Sequence, residues 1–182
     1  MANNSRPPAR TVTLGAMPGP QRLRERHRTH LAAMSWPSML TLTRSAWPGR
    51  LSRERLRDTL HAFARMRRMR AFQRVRGGIA ALEVSRNPES GTWHDHIHAL
   101  IDAQWLDIPS LADAWKRALR EGGQGSIHLQ RLRKPQAALD YITKNATVAA
   151  DTWDEAETLA DELDALLRTP YLTTAWGNCR KP

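Results

Sequence analysis

The spacing of apolar positions changes several times along this chain, and each change marks an element. Ser38-Met39-Leu40-Thr41-Leu42-Thr43-Arg44 alternates between Pro37 and Pro48 and is rich in β-formers, which predicts a first strand. Leu56, Leu60, Phe63 and Met66 then recur at helical spacing, so a helix is predicted from a Ser52 cap to about Met69, with arginines over its other face. Gly77-Gly78 interrupts the pattern. Ile79 to Arg86 reads as a second strand, Asn87-Pro88-Glu89-Ser90-Gly91 as a turn, and Thr92 to Asp102 as a third strand. A second helix, capped by Ser110 and carrying Leu111, Trp115 and Leu119 on one side, ends at Gly122-Gly123 before a fourth strand, Ser126 to Leu132.

The order βαββαβ predicts an α+β domain of ferredoxin-like plan: an antiparallel sheet, both crossover helices on one face, the other face open. Pro135 can start a further helix through about Asn145, and Thr152 with Glu155 forms a capping box for an acidic helix to about Arg168. Tyr171 to Trp176 is expected to add an edge strand. Residues 1–35 are rich in Pro, Arg and small polar residues without a sustained apolar period, which suits a basic arm, flexible or loosely docked. Residues 36–182 are then one domain, and the total of 182 residues leaves little room for a second.

Charge sharpens the picture. Lys and Arg number 28 against 18 Asp and Glu, a net charge of +10. Seven of the acids fall between Asp151 and Asp164, where no base occurs, so the rest of the chain is more basic still. Segregation of this kind points to a polyanionic partner, although 24 of the bases are Arg, as base-rich coding DNA alone would give. A single cysteine, Cys179, excludes a disulfide framework and a Cys-rich zinc module. With no apolar run of membrane-spanning length and no apolar stretch in Met1 to Arg10, a cytoplasmic location is expected.

The chemistry concentrates in His94-Asp95-His96-Ile97-His98. On a strand, alternate side chains share a face, so His94, His96 and His98 point one way and Ile97, Ala99 and Ile101 the other. Counting back through the turn from an Asn87–Thr92 pair sets Glu83 opposite His96, on the histidine face. Glu83, His96 and His98 then form a three-ligand set, with His94 second in rank. Imidazole plus carboxylate suits Mn²⁺ or Mg²⁺ ahead of Zn²⁺, and three ligands leave positions open for substrate oxygen. The alternative is a set of exposed histidines on a hairpin.

Farther on, Tyr141 and Lys144 lie three apart on the Pro135 helix and share a face. A phenol beside an ammonium can attack a phosphodiester, since the cation favours the phenolate and offsets charge building on the phosphorus oxygens. By itself, Tyr-x-x-Lys is equally compatible with a half-buried Tyr and a solvated Lys.

Together these residues resemble the HUH endonucleases, most closely the rolling-circle replication initiator (Rep) proteins of small plasmids. The parts come in the family order from Trp36 to about Asn145: Thr41-Leu42-Thr43, Ala81-Leu82-Glu83-Val84, His96-Ile97-His98, then Tyr141 and Lys144. The resemblance implies the HUH endonuclease fold, a ferredoxin-like sheet with a catalytic helix and here an extra C-terminal helix. It also implies sequence-guided, metal-dependent nicking of one DNA strand at a plasmid origin. His96, His98 and Glu83 would be ligands, Tyr141 the nucleophile that becomes linked to the 5′ phosphate, and Lys144 its support. Single-stranded and origin DNA are the implied partners, with a host helicase for unwinding because the chain carries no P-loop. In one respect it departs from that group. A glutamate one turn before the tyrosine is expected there, and this chain has Ala137.

Thr41, Thr43, Arg44, Trp47, Arg133 and Lys134 are the expected DNA contacts. Trp36, Trp47 and Trp93 flank the active strands and can stack unpaired bases or pack inside, while Trp115 has core spacing. The arginines from Arg65 to Arg76 can grip phosphates or simply form a solvated face. His128 on the fourth strand, like His27, His30 and His61, receives no role. Two other readings remain: a single-tyrosine HUH transposase or mobilisation relaxase with the same chemistry, and a non-catalytic single-strand binding module on a ferredoxin-like sheet.

Overall fold

Alternation in the first expected strand and the turn that joins the next two are what build the sheet. The computed structural model describes residues 10–13, 20–87, 89–120, 124–142, 147–150 and 173–179. Its elements in chain order are β1 (Arg10–Thr13), α1 (Pro20–Ala32), β2 (Pro37–Arg44), α2 (Arg53–Met66), β3 (Gly77–Arg86), β4 (Trp93–Asp102), α3 (Ile108–Leu119), β5 (Gly125–Arg131), α4 (Pro135–Ile142), β6 (Thr147–Ala150) and β7 (Thr173–Gly177). The five main strands pair antiparallel in the order β5-β2-β4-β3-β7, and β1 pairs with β6 in a separate ribbon. This is an α+β chain broadly compatible with a ferredoxin-like plan: the four strands of the βαββαβ unit lie in the spatial order fourth, first, third, second. β7 extends the sheet beyond β3 where an edge strand was expected.

One face of the sheet carries Leu40, Leu42, Val84, Ile97, Ala99 and Ile101, and α2 and α3 close over it with Leu56, Phe63, Met66, Leu111, Trp115 and Leu119. Full burial contributes about 1.5–3 kcal/mol for each large apolar side chain, so this layer holds the domain together. Ser52 caps α2 as expected, its side chain accepting from the Arg55 amide, but the helix stops at Met66 and a short 3-10 turn, Arg70–Phe72, buries Phe72 against Phe63. Ser110 is not the cap of α3. Asp107 is, because Pro109 fits the first turn of a helix, where no amide hydrogen is needed, and Ser110 donates its hydroxyl to the Asp107 carboxylate.

The second face is not left open along its whole length. α4 and α1 cover half of it, burying Leu139, Ala138, Ile142, Leu31 and Met34 against Ile79, Ala81 and Leu100. The cause is local: Gly77–Leu82 and Ala99–Ile101 are apolar at every position, so both faces of these strand segments need cover. Within residues 1–35, expected to form a basic arm without a sustained apolar period, Arg10–Thr13 form β1 and Pro20–Ala32 form α1. Pro20 sits at the first helical position, and Leu31 and Met34, three apart, form an apolar stripe too short to register among so many arginines. The acidic helix expected from Thr152 to Arg168, the Gly122-Gly123 break, Pro88, Lys144 and Tyr171 lie outside the described residues.

Candidate active site

The turn fixes the register. Asn87 N donates to Thr92 O at 2.8 Å, the Asn87 side chain accepts from the Glu89 and Ser90 amides, and Gly91 takes a φ of 65°. Glu83 therefore pairs with His96 and Ala81 with His98, as the count through the turn requires. On the other side of β4, Thr43 pairs with His96 and Thr41 with His98. The result is two polar rows, Thr43–His96–Glu83 and Thr41–His98–Ala81, followed by the apolar row Met39–Leu100–Ile79 on which α4 rests.

Each ring is held from behind. Thr41 Oγ1 lies 3.1 Å from His98 Nδ1, and Thr43 Oγ1 lies 3.1 Å from His96 Nδ1. A ring that donates its Nδ1 proton to a hydroxyl presents Nε2 to the opposite side, the arrangement by which outer partners orient metal-binding imidazoles. Thr41 and Thr43 thus serve as ring partners, and Thr41 also lines the groove beside the site. The Glu83 carboxylate, opposite His96 in register, reaches diagonally to His98, with Oε2 2.6 Å from Nε2. Burial, and next the neighbouring His98, lowers the His96 pKa below its ordinary value, which favours the neutral imidazole that coordinates metal.

α4 brings in the phenol. The Tyr141 ring stands edge-on to His98 at 5.2 Å, and its hydroxyl donates to Glu83 Oε2 at 3.4 Å. Buried Leu139 and Ile142 fix the helix rotation, leaving Tyr141 43% exposed over the histidines. His96 stacks between His94 and His98, 6.3 and 6.1 Å away, and His94 turns its Nε2 to Thr92 Oγ1 at 3.4 Å. Among the described residues no three His, Cys, Asp or Glu side chains converge closely enough to enclose an ion as they stand. The donor chemistry nonetheless fits a divalent cation: two imidazoles oriented by hydroxyls and one carboxylate already bridging toward one of them.

A groove of about 730 Å³ opens from this point along the sheet, lined by Thr41, His98 and Tyr141 at one end and by His128, Gln130, Arg131, Arg133 and Lys134 farther on. It keeps Arg133 and Lys134, both exposed, beside the site. Sequence reasoning missed His128 and Gln130 as groove residues. They alternate along β5, but their place beside Thr41 depends on β5 pairing with β2 rather than with β4.

Strand parity places two further residues on the face that the helices cover. Arg44 follows Leu40 and Leu42 onto the helix-covered face, where it bonds to Asp58 at 3.0 Å and donates to Thr59 at 3.1 Å. Trp93 lies on the same face as Ile97 and is buried, donating to Gly49 O at 3.0 Å. Trp47 pairs with Trp93 and is half-buried, with the Arg55 guanidinium 4.1 Å from its ring centre. Trp115 is fully buried, as its spacing indicated. Asp95, between His94 and His96 in sequence, is buried beneath α2, accepts from the Thr59 hydroxyl and lies 3.7 Å from Arg55 Nε.

Comparison with models of known protein families, with curated proteins and with solved structures yields no match.

Proposed function

We propose that the protein is a metal-dependent HUH-type DNA endonuclease and strand transferase that nicks single-stranded DNA at a plasmid replication origin. The observation that carries this reading is the meeting of Tyr141, Glu83 and His98 on one sheet face, with the Tyr141 hydroxyl and His98 Nε2 sharing a single carboxylate oxygen. His96, His98 and Glu83 would hold a Mn²⁺ or Mg²⁺ ion, which supplies Lewis-acid polarisation of the scissile phosphate when bound.

The chain's own residues do the rest. The Tyr141 hydroxyl gives up its proton toward Glu83, the acceptor of its hydrogen bond, and the phenolate oxygen bonds to phosphorus. The bond from phosphorus to the 3′ oxygen breaks, and that oxygen takes a proton from solvent to leave as a 3′ hydroxyl primer end. Thr41 and Thr43 hold the imidazoles in place throughout, so no ring has to reorient during attack. Lys144 would offset phosphate charge, and Arg133 and Lys134 would receive the strand in the groove. A replicative role further calls for a host helicase.

The test mixes protein, Mn²⁺ and single-stranded oligonucleotides covering candidate origins, then looks for an adduct that survives denaturation. An adduct that needs both metal and Tyr141 supports the reading. Binding of single strands without any adduct would replace it with the non-catalytic module.

A further inference from the structure

Three arginines and two tryptophans gather where β4 ends, away from the Asn87–Thr92 turn. Trp36 leads into β2, its amide donating to Asp102 Oδ1 at 2.8 Å and its carbonyl accepting from Ala103 N at 3.2 Å. Arg76 leads into β3, is tied to Asp102 O by its own amide at 2.9 Å, and carries its guanidinium 4.5 Å from the Trp36 ring centre. Just past β4, Trp105 is 59% exposed, with the Arg74 guanidinium 5.0 Å from its ring centre. Arg131, at the end of β5, donates to the carbonyls of Ala103 at 3.2 Å and Gln104 at 2.7 Å.

These groups are therefore set around one short segment, 102–105. Trp93, Trp115 and Trp176 are buried in the core, and Trp105 is left in solvent with a cation against it. The carboxylates close by are engaged: Asp102 is buried and accepts from Trp36 and Asn178, and Asp107 accepts from Ser110. What remains exposed is positive charge beside aromatic faces. Arg131 also lines the groove that begins at Tyr141, so the two places share a residue at the end of β5.

We propose that this corner is a second, non-catalytic site for single-stranded DNA, holding the strand that flanks the bond attacked by Tyr141. Bases stack on Trp105 and Trp36, and phosphates meet Arg74, Arg76 and Arg131. Stacking combined with backbone charge is tolerant of sequence, which suits a flank that is gripped rather than read. The line along β4 is closed at Leu100, which α4 and α1 cover, so a flank would reach the corner past the exposed Arg131 at the end of β5. The proposal rests on the single-strand reading above.

The experiment measures fluorescence anisotropy of labelled thymidine oligomers of about 8 and about 24 nucleotides, lengths that bracket one and several contact sites, with the full chain in EDTA. Trp105→Ala is expected to weaken the longer oligomer on the order of tenfold, the loss of one stacked base, and the shorter one far less; Trp105→Phe should recover most of the difference. Arg74→Ala should flatten the salt dependence of the longer oligomer alone. Equal losses at both lengths, or none at either, would overturn the corner site, as would a change confined to self-association measured by sedimentation. If the parent protein binds no single strand, the single-strand reading falls with it. A parent that binds in this length-dependent way yet forms no adduct with metal leaves the corner standing and removes the nicking reading.

Discussion

Glu83 Oε2 is shared between Tyr141 and His98: the phenol donates to it at 3.4 Å and the imidazole Nε2 approaches it at 2.6 Å. One carboxylate oxygen thus links the proposed nucleophile to the proposed metal platform. Removing the phenol hydroxyl takes away the attacking atom and little else, since the ring still packs on His98. Tyr141→Phe is expected to abolish the covalent adduct while DNA affinity changes less than about threefold, the equivalent of one weak neutral hydrogen bond. Denaturing gels and anisotropy on the same variant check both. Persisting adduct would move the nucleophile to Tyr171, the other tyrosine of the chain.

The threonines behind the rings make a sharper test of the platform than the histidines do. His96→Ala or His98→Ala should eliminate Mn²⁺ binding, with Glu83→Ala weakening it by a smaller amount because water can replace a carboxylate. Thr41→Val and Thr43→Val keep every ligand and remove only the hydroxyls that lie 3.1 Å from each Nδ1. They are expected to cost roughly ten- to a hundredfold in metal affinity, as loss of an outer-shell partner does. Calorimetric titration decides, and unchanged affinity in the histidine variants would end the metal assignment.

That pair of threonines also shows where sequence reading reached its limit. The pairing of Glu83 with His96 was legible because a short turn fixes register across a hairpin, and a slip of one residue would bury charge. The contact of Thr41 with His98 depends on β2 lying beside β4, a long-range choice that no local pattern states. Arg44 could have been placed, because period-two alternation puts it with Leu42 on the helix side, and the same alternation settles Trp93, open between stacking and packing, beside Ile97. Helix α1 escaped because its described apolar contacts, Leu31 and the nearby Met34, sit at its very end.

Asp95 illustrates the stabilising side of the same alternation. Buried under α2, it accepts from Thr59 and faces Arg55, whose pKa is lowered by burial in spite of that carboxylate. Asp95→Ala would strand a partly buried guanidinium and should lower unfolding free energy by about 3 kcal/mol. Asp95→Asn, which keeps an acceptor for Thr59, should lose less. Urea denaturation of the two variants measures the difference, and an Ala variant as stable as its parent would contradict it.

Cys179 offers a probe of the covered half of the sheet. It is buried with Leu31, Ile79 and Leu100, and burial, with Asp102 adding to it, pushes the thiol up from 9.0 to about 11. At pH 8 the native protein should react with a disulfide reagent far more slowly than the urea-unfolded chain. Because the folded pKa is the higher one, the stabilisation from keeping the thiol protonated is complete below pH 9.0 and is lost as pH rises toward 11. Fast labelling of the native state at pH 8 would show that α1 and α4 do not shield it.

How the proposed covalent intermediate would end depends on what faces Tyr141 on α4. Ala137, one helical turn earlier, lines the groove with Tyr141, whereas Asp140 is exposed and is not among the groove residues. At about 100° per residue, neighbours on a helix point apart, so Asp140 is poorly placed to activate water at the phosphorus bonded to Tyr141. The phosphotyrosine is therefore expected to be long-lived, resolved by a DNA 3′ hydroxyl or a second subunit's tyrosine and only slowly by water. Ala137→Glu sets a carboxylate on the face that Asp140 misses, and general-base assistance of this kind is typically worth about a hundredfold or more in rate. Purified adduct, followed over time with and without a strand bearing a free 3′ hydroxyl, gives the answer: the parent should release only when the strand is added, the Ala137→Glu variant in water alone. Rapid release of the parent adduct in water, indifferent to added strand, would show that another residue already supplies the base.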